Sequence, residues 1–154
     1  VTEFKVGDYK VYLSPIIDCF DGCPISWRIS THPDDELTAG SLEDALELLK
    51  QGCIVHTDGG INYRSNKWKD VCEENNLVRS MSRKAKSPGN ARAEGFCGTL
   101  KKEFLYARSW KNTTKTRFVR ALNEYIVWYR DEKIKKALGW KTIAAHRAAL
   151  EKAA

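Results

Sequence analysis

Residues 1–31 hold three runs rich in β-branched and aromatic side chains, at 2–6, 9–18 and 24–31, and the gaps between them are too short for a parallel crossover. Gly7-Asp8 and Asp21-Gly22 supply turn chemistry in those gaps, so three consecutive antiparallel strands are expected. Pro33 and the acidic opening Asp34-Asp35-Glu36 then introduce Leu42, Ala45, Leu46 and Leu49, which read as a helix favoured by negative charge near its start and ended by Gly52. Cys53 to Thr57 is a short apolar run bounded by Gly52 and Gly59-Gly60, which fits a buried strand ending at Asp58. A helix capped by Ser65 and containing Trp68, Val71 and Cys72 follows, with a short strand near Leu77 to Met81. Strand, helix, strand implies parallel pairing in that part of the sheet.

The second half reads as helical. Ala93, Cys97, Leu100 and Phe104 recur at helical spacing after Pro88-Gly89. Asn90, Glu94 and Lys101 fall together beside that stripe, within about 40° of helix circumference, so an amide, an acid and a base share one face. The preceding stretch, Ser82 to Gly89, is poor in apolar residues, carries three cations and suggests a mobile loop able to order on DNA. Beyond Thr113, Phe118, Leu122, Tyr125, Ile126 and Tyr129 form one apolar face of a helix running to about Glu132, followed by a basic tail. Core packing explains that face first, dimerisation second.

At 154 residues and 42% hydrophobic, the chain suits one globular core, so a single domain over 1–154 is expected, with a basic helical segment from about 114. No apolar stretch of about 18 residues and no basic-then-apolar leader occurs, which predicts a cytoplasmic protein without membrane contact. Cysteines 19, 23, 53, 72 and 97 are odd in number and contain no CxxC pair, so free thiols are expected. His32 and His146 have no partner at zinc spacing. Charge is unevenly spread: residues 1–76 carry 7 basic and 14 acidic side chains and residues 77–154 carry 19 and 6, giving −7 and +13. A basic half beside candidate metal-binding carboxylates suits an enzyme acting on a polyanion, although a solvated helical surface gives the same pattern.

The DGG turn at 58–60 after an apolar strand, the helix NARAEGFCGTLKKE at 90–103 and the late segment YIVWYRDEKIKKALGW at 125–140 together resemble the integrase catalytic core of insertion-sequence transposases and retroviral integrases. The resemblance spans almost the whole chain. It implies a ribonuclease H-like α/β fold with a central mixed five-stranded sheet, three strands antiparallel and two parallel, flanked by helices. It also implies three metal-binding carboxylates, of which Asp58 matches the second and Glu94 the third. By this register the first would sit one position ahead of Val1, so the chain is read as cut there and of doubtful activity on its own. The implied cofactor is Mg²⁺ or Mn²⁺, with two ions in the DNA-bound complete enzyme. The implied partners are element-end and target DNA and further copies of the protein, with no small-molecule substrate.

Two divalent ions about 3.5–4 Å apart would activate the attacking oxygen and stabilise the leaving one during in-line displacement at phosphorus. Asp58 and Glu94 are the candidate catalytic and metal-ligating residues; Asn90, Lys101, Lys84, Lys86 and Arg92 are the candidate DNA contacts. Each has a plainer reading: Asp58 as a turn aspartate, Glu94 as a first-turn acid facing the helix dipole, Asn90 as a cap, Lys101 as a solvated lysine. His56, two residues before Asp58 on the same strand face, is a neighbour of the site or more simply a packing histidine. Asp18 is placed near the site by resemblance without being a principal ligand. Family members often carry Asp where Gly89 stands, which touches loop geometry more than metal binding. Transposition by strand cleavage and 3′-hydroxyl transfer leads; a ribonuclease H-type nuclease and an inactive DNA-binding or assembly module are the alternatives.

Overall fold

The computed structural model describes residues 1–82 and 90–152. Strands β1 (Thr2–Val6), β2 (Tyr9–Ile17) and β3 (Pro24–Ser30) form an antiparallel meander. Val6 pairs with Tyr9 across a two-residue turn in which Gly7 takes φ +55°, a conformation that side chains resist and that suits a hairpin with the right-handed strand twist. The inward residues Phe4, Val11 and Leu13 are fully buried.

Helix α1 (Asp35–Glu43) starts at Asp34, whose side chain accepts from the Leu37 N–H at 2.9 Å, with Asp35 and Glu36 in the first turn. It stops earlier than the apolar spacing predicts: a single 3-10 turn at Leu46–Leu48 takes over. Asp44, at the end of α1, is held by Arg28 through a two-pronged contact at 2.7 and 2.8 Å. Strand β4 (Ile54–Thr57) and strand β5 (Val78–Met81) run parallel, joined by helix α2 (Asn66–Glu74), whose N-cap Ser65 accepts from the Trp68 N–H. All five expected strands are therefore present, hydrogen-bonded as a three-stranded and a two-stranded sheet. One expectation fails locally. β4 is not buried along its length, because Ile54 is 66% exposed where the strand has β5 on one edge only.

Helix α3 (Ala91–Leu100) continues into a wider π-helical turn, Lys101–Leu105, closed by the Tyr106 N–H donating to the Lys101 carbonyl at 2.9 Å. Its core stripe is Phe96, Leu100 and Phe104; Ala93 and Cys97, expected in that stripe, are only partly buried. Helix α4 (Lys115–Asp131), capped by Thr114, buries Phe118, Leu122, Tyr125, Ile126 and Tyr129, the whole of the apolar face read from the sequence. The basic tail folds back as helix α5 (Ile143–Glu151). Two clusters result: a large one joining β1–β3 to α3 and α4, and a smaller one holding Leu42, Trp68, Val71 and Cys72 between α1 and α2.

Candidate active site

A cavity of about 1000 Å³ opens between the two sheets. Its walls come from the ends of β2 and β4 and from α3. Asp58 directly follows β4, and both Asp58 and Glu94 line the cavity, as do Asn90, Arg92 and Lys101. Five of the seven candidate residues thus surround one space, while Lys84 and Lys86, with most of the loop expected at 82–89, lie outside the described residues.

Asp58 makes the turn contact that its plainer reading required: Oδ1 accepts from the Gly60 N–H at 2.8 Å. A Cβ at Gly60 would come within 2.7 Å of that oxygen, so the second glycine of the DGG turn is what lets backbone and carboxylate approach. Oδ2 takes no hydrogen bond among the described residues, and the turn contact leaves one oxygen of an oriented carboxylate available. Glu94, one turn into α3, is exposed and likewise has no ion pair or hydrogen bond among the described residues. Asn90 occupies the N-cap position of α3 without a capping side-chain bond, and its amide has no partner among the described residues.

The neighbours are fixed more tightly. His56 is held between two hydroxyls, Nδ1 at 2.9 Å from Ser80 Oγ and Nε2 at 2.8 Å from Ser82 Oγ, tying β4 to β5. Tyr63 packs edge-on against Trp68 with ring centroids 4.9 Å apart. Its phenol is pushed well above the ordinary range by burial and then by the Asp58 charge, which keeps it a neutral hydroxyl. The Val1 ammonium donates to that hydroxyl at 3.1 Å, so the first residue also lies on the cavity wall. Burial raises the Cys97 thiol, one turn beyond Glu94, keeping it protonated. Sequence reasoning did not single out Tyr63, although its place three residues after the DGG turn was the available signal.

On the far wall Asp18 is paired with Arg147 of α5 at 2.9 Å, and the same guanidinium grips Asp21 at 2.6 and 3.1 Å. Asp21 is fully buried. Burial alone would raise its carboxyl, but the Arg147 hydrogen bonds, the Cys23 N–H and the nearby cations outweigh it and hold it below the usual range. The role of α5 in fastening this rim was not legible in the sequence. All five cysteines are free, and among the described residues no helix is long and apolar enough to cross a membrane.

The family model described as integrase core domain matches residues 1–87, just over half of the chain. A probable transposase of insertion sequence element IS1353 from Shigella flexneri is 40% identical over 97% of this chain. The chain belongs to the integrase core family. The transposase of insertion sequence element IS629 from Shigella sonnei is 30% identical over 84% of the chain. The chain spans 30% and 43% of these two relatives' own lengths. Among solved structures, the HTLV-2 integrase catalytic core domain in complex with magnesium superposes with a TM-score of 0.67 at 20% identity, over 92% of this chain and 87% of that one. The simian T-cell lymphotropic virus intasome gives a TM-score of 0.72 at 18% identity, over 87% of this chain and 47% of its own. Those likenesses show the fold, a ribonuclease H-like integrase core.

Proposed function

We propose that this integrase core carries out DNA transposition by metal-dependent phosphoryl transfer, with Asp58 and Glu94 as metal ligands and catalytic residues. The observation that carries the reading is the placement of these two carboxylates, each with oxygen unengaged by the described residues, on the wall of one cavity that also holds Asn90, Arg92 and Lys101. Hard oxygen donors with room for water and phosphate suit Mg²⁺ or Mn²⁺, which is usually held by one or two carboxylates together with substrate phosphates. When bound, one or two such ions would supply Lewis-acid activation of the attacking water or 3′-hydroxyl and stabilisation of the leaving oxygen.

The protein's own groups do the rest. The Gly60 N–H fixes the Asp58 carboxylate on the turn, so one oxygen is held in place before any substrate arrives. Arg92 and Lys101 bind backbone phosphates, and Lys84 and Lys86 extend that contact; Asn90 positions the strand or a water. The neutral Tyr63 hydroxyl and the serine-held His56 keep the floor of the cavity rigid. The partners are element-end and target DNA, and the active assembly is a multimer in the cytoplasm.

The decisive experiment uses the protein extended upstream into its parent sequence, labelled element-end DNA and Mg²⁺ or Mn²⁺. Cleavage and joining are expected, with Asp58→Asn and Glu94→Gln each abolishing both; robust activity in either variant overturns the assignment. An inactive DNA-binding module, the alternative reading, is expected instead to bind the same DNA and leave it uncut.

A further inference from the structure

Between α4 and α5, residues 133–141 form a loop that is fastened at several points yet offers its largest side chain to water. The Lys135 N–H donates to the Lys141 carbonyl at 3.0 Å and the Trp140 N–H to the Lys135 carbonyl at 3.2 Å, closing the loop on itself. Lys135 Nζ donates to the Asp21 carbonyl at 2.7 Å, and Lys133 Nζ to both Glu103 carboxylate oxygens at 2.8 and 2.6 Å. These anchors tie the loop to the β2–β3 turn, which places Asp18 and Cys19 on the cavity wall, and to the end of α3.

Trp140 is 69% exposed at the closed end of this loop. Its φ is +62°, next to Gly139 at +67°. A bulky residue at positive φ is an outlier, and its strain persists only where surrounding contacts hold it. Among the described residues no aromatic ring or cation packs on its face. Lys136, four residues before it, and Lys141, next in the chain, are exposed and without an ion pair among the described residues. A strained, solvent-facing indole on a loop that also carries two exposed ammonium groups without ion pairs among the described residues is chemically matched to a nucleobase with its neighbouring phosphates. Ile134 is also exposed, at 61%, but the charge of this half of the chain, +13 over residues 77–154, favours a polyanion over an apolar protein surface.

The geometry points to Trp140 as a stacking platform for an unpaired base of the bound DNA, with Lys136 and Lys141 on the flanking phosphates. This rests on the reading that the cavity handles DNA, and adds that DNA beside the cavity is locally unpaired. The indole supplies a π-face to any base, so the contact recognises an unstacked base without choosing its identity.

The test compares a blunt duplex with the same duplex carrying a single-stranded overhang, both fluorescently labelled, on the full chain and on Trp140→Gly, Trp140→Phe and Lys101→Gln. Trp140→Gly is expected to weaken overhang binding by about 5- to 100-fold and blunt-duplex binding by less than about 2-fold, with Trp140→Phe retaining most of the affinity. Glycine tolerates the positive φ, so the melting temperature of Trp140→Gly is expected to hold or rise while affinity falls; a tryptophan needed for internal packing would lose both. Lys136→Gln with Lys141→Gln is expected to flatten the salt dependence of overhang binding by about 1.4 in log–log slope, two contacts at about 0.7 each. Unchanged overhang affinity in Trp140→Gly, equal losses on both DNAs, or a lowered melting temperature overturns the assignment. So does loss of self-association with DNA affinity intact. Lys101→Gln separates the two readings: weakened binding there without an effect at Trp140 removes this inference alone, whereas no DNA binding by the parent chain removes both.

Discussion

The two hydrophobic clusters of this chain are built to different standards. Around Phe104 the packing is aromatic and closed: its ring lies 4.8 Å from Trp110, 5.4 Å from Tyr125 and 5.6 Å from Phe118, and all but Trp110 are buried. The cluster around Trp68 is smaller and meets the cavity through Trp68 itself and the partly buried Leu49, Cys53, Val55 and Tyr63. One side of the molecule is a scaffold, and the other is a rim that remains open. The carboxylates sit where the two meet, Glu94 on a helix rooted in the large cluster and Asp58 directly after a strand that packs on the small one. Their separation therefore depends on how firmly the small cluster is held against the large.

The largest effect should come from the scaffold. Phe104→Ala is expected to cost about 3–5 kcal/mol and to lower protection from hydrogen exchange everywhere, since it opens a void in the centre of the main core. Trp68→Ala is expected to cost less, about 3 kcal/mol, because residues beside a cavity relax more easily. It should release the amides of β4 and β5 while β2 stays protected. Equal loss of protection throughout in Trp68→Ala would make the clusters one cooperative unit and end the comparison.

Next in size is the tie between the rim and the tail. Asp21→Ala removes a buried carboxylate from Arg147, with an expected cost of about 2–4 kcal/mol, below the range for a fully buried pair because the guanidinium reaches water. Its pH signature is distinct. The Asp21 carboxyl is held below its ordinary 3.8 in the folded protein, so its contribution is complete above that value and is lost as the pH falls through the lower folded value. Burial pushes the Glu103 carboxyl up, but hydrogen bonds from Lys133 and Tyr125 outweigh it and hold it below 4.5, which adds loss in the same direction. Chemical denaturation from about pH 5 down to about pH 2 should show the parent losing stability faster than Asp21→Ala; parallel curves would mean that Asp21 is not the titrating tie.

What the sequence made legible follows from range. Strands β1–β3 and the buried face of α4 were readable because alternation and helical spacing are local properties, and Ser65 and Asp34 announced their helices by side-chain chemistry alone. The candidate site was readable only in part: the turn at Asp58 and the shared face of Asn90, Glu94 and Lys101 are local, but their assembly around one cavity is tertiary. Three features depended on distant partners and left little trace. α1 ends where Arg28 takes hold of Asp44, Phe96 replaces Ala93 and Cys97 as the core-facing residue of α3, and α5 is pinned through Arg147 to carboxylates more than a hundred positions away. Ile54 was expected to be buried because its run is apolar, yet burial depends on what lies across the open edge of β4.

The smallest stability effect is expected at Asp58, where the two clusters meet. Asp58→Asn keeps an oxygen able to accept from the Gly60 N–H, so the turn should survive and stability should change by no more than about 0.5 kcal/mol. Removing the charge, by contrast, should remove a hard anionic ligand, and DNA cleavage by the upstream-extended protein should fall by a factor of about 100 or more. A residue whose main duty was to shape the turn would show the opposite split under Asp58→Ala: a clear loss of stability with cleavage reduced only in proportion to the folded fraction. Measuring melting and cleavage on both variants decides whether Asp58 belongs to the rim as a structural corner or as a ligand. Its pinned Oδ1 beside an unengaged Oδ2 favours the ligand, with the turn as the device that aims it.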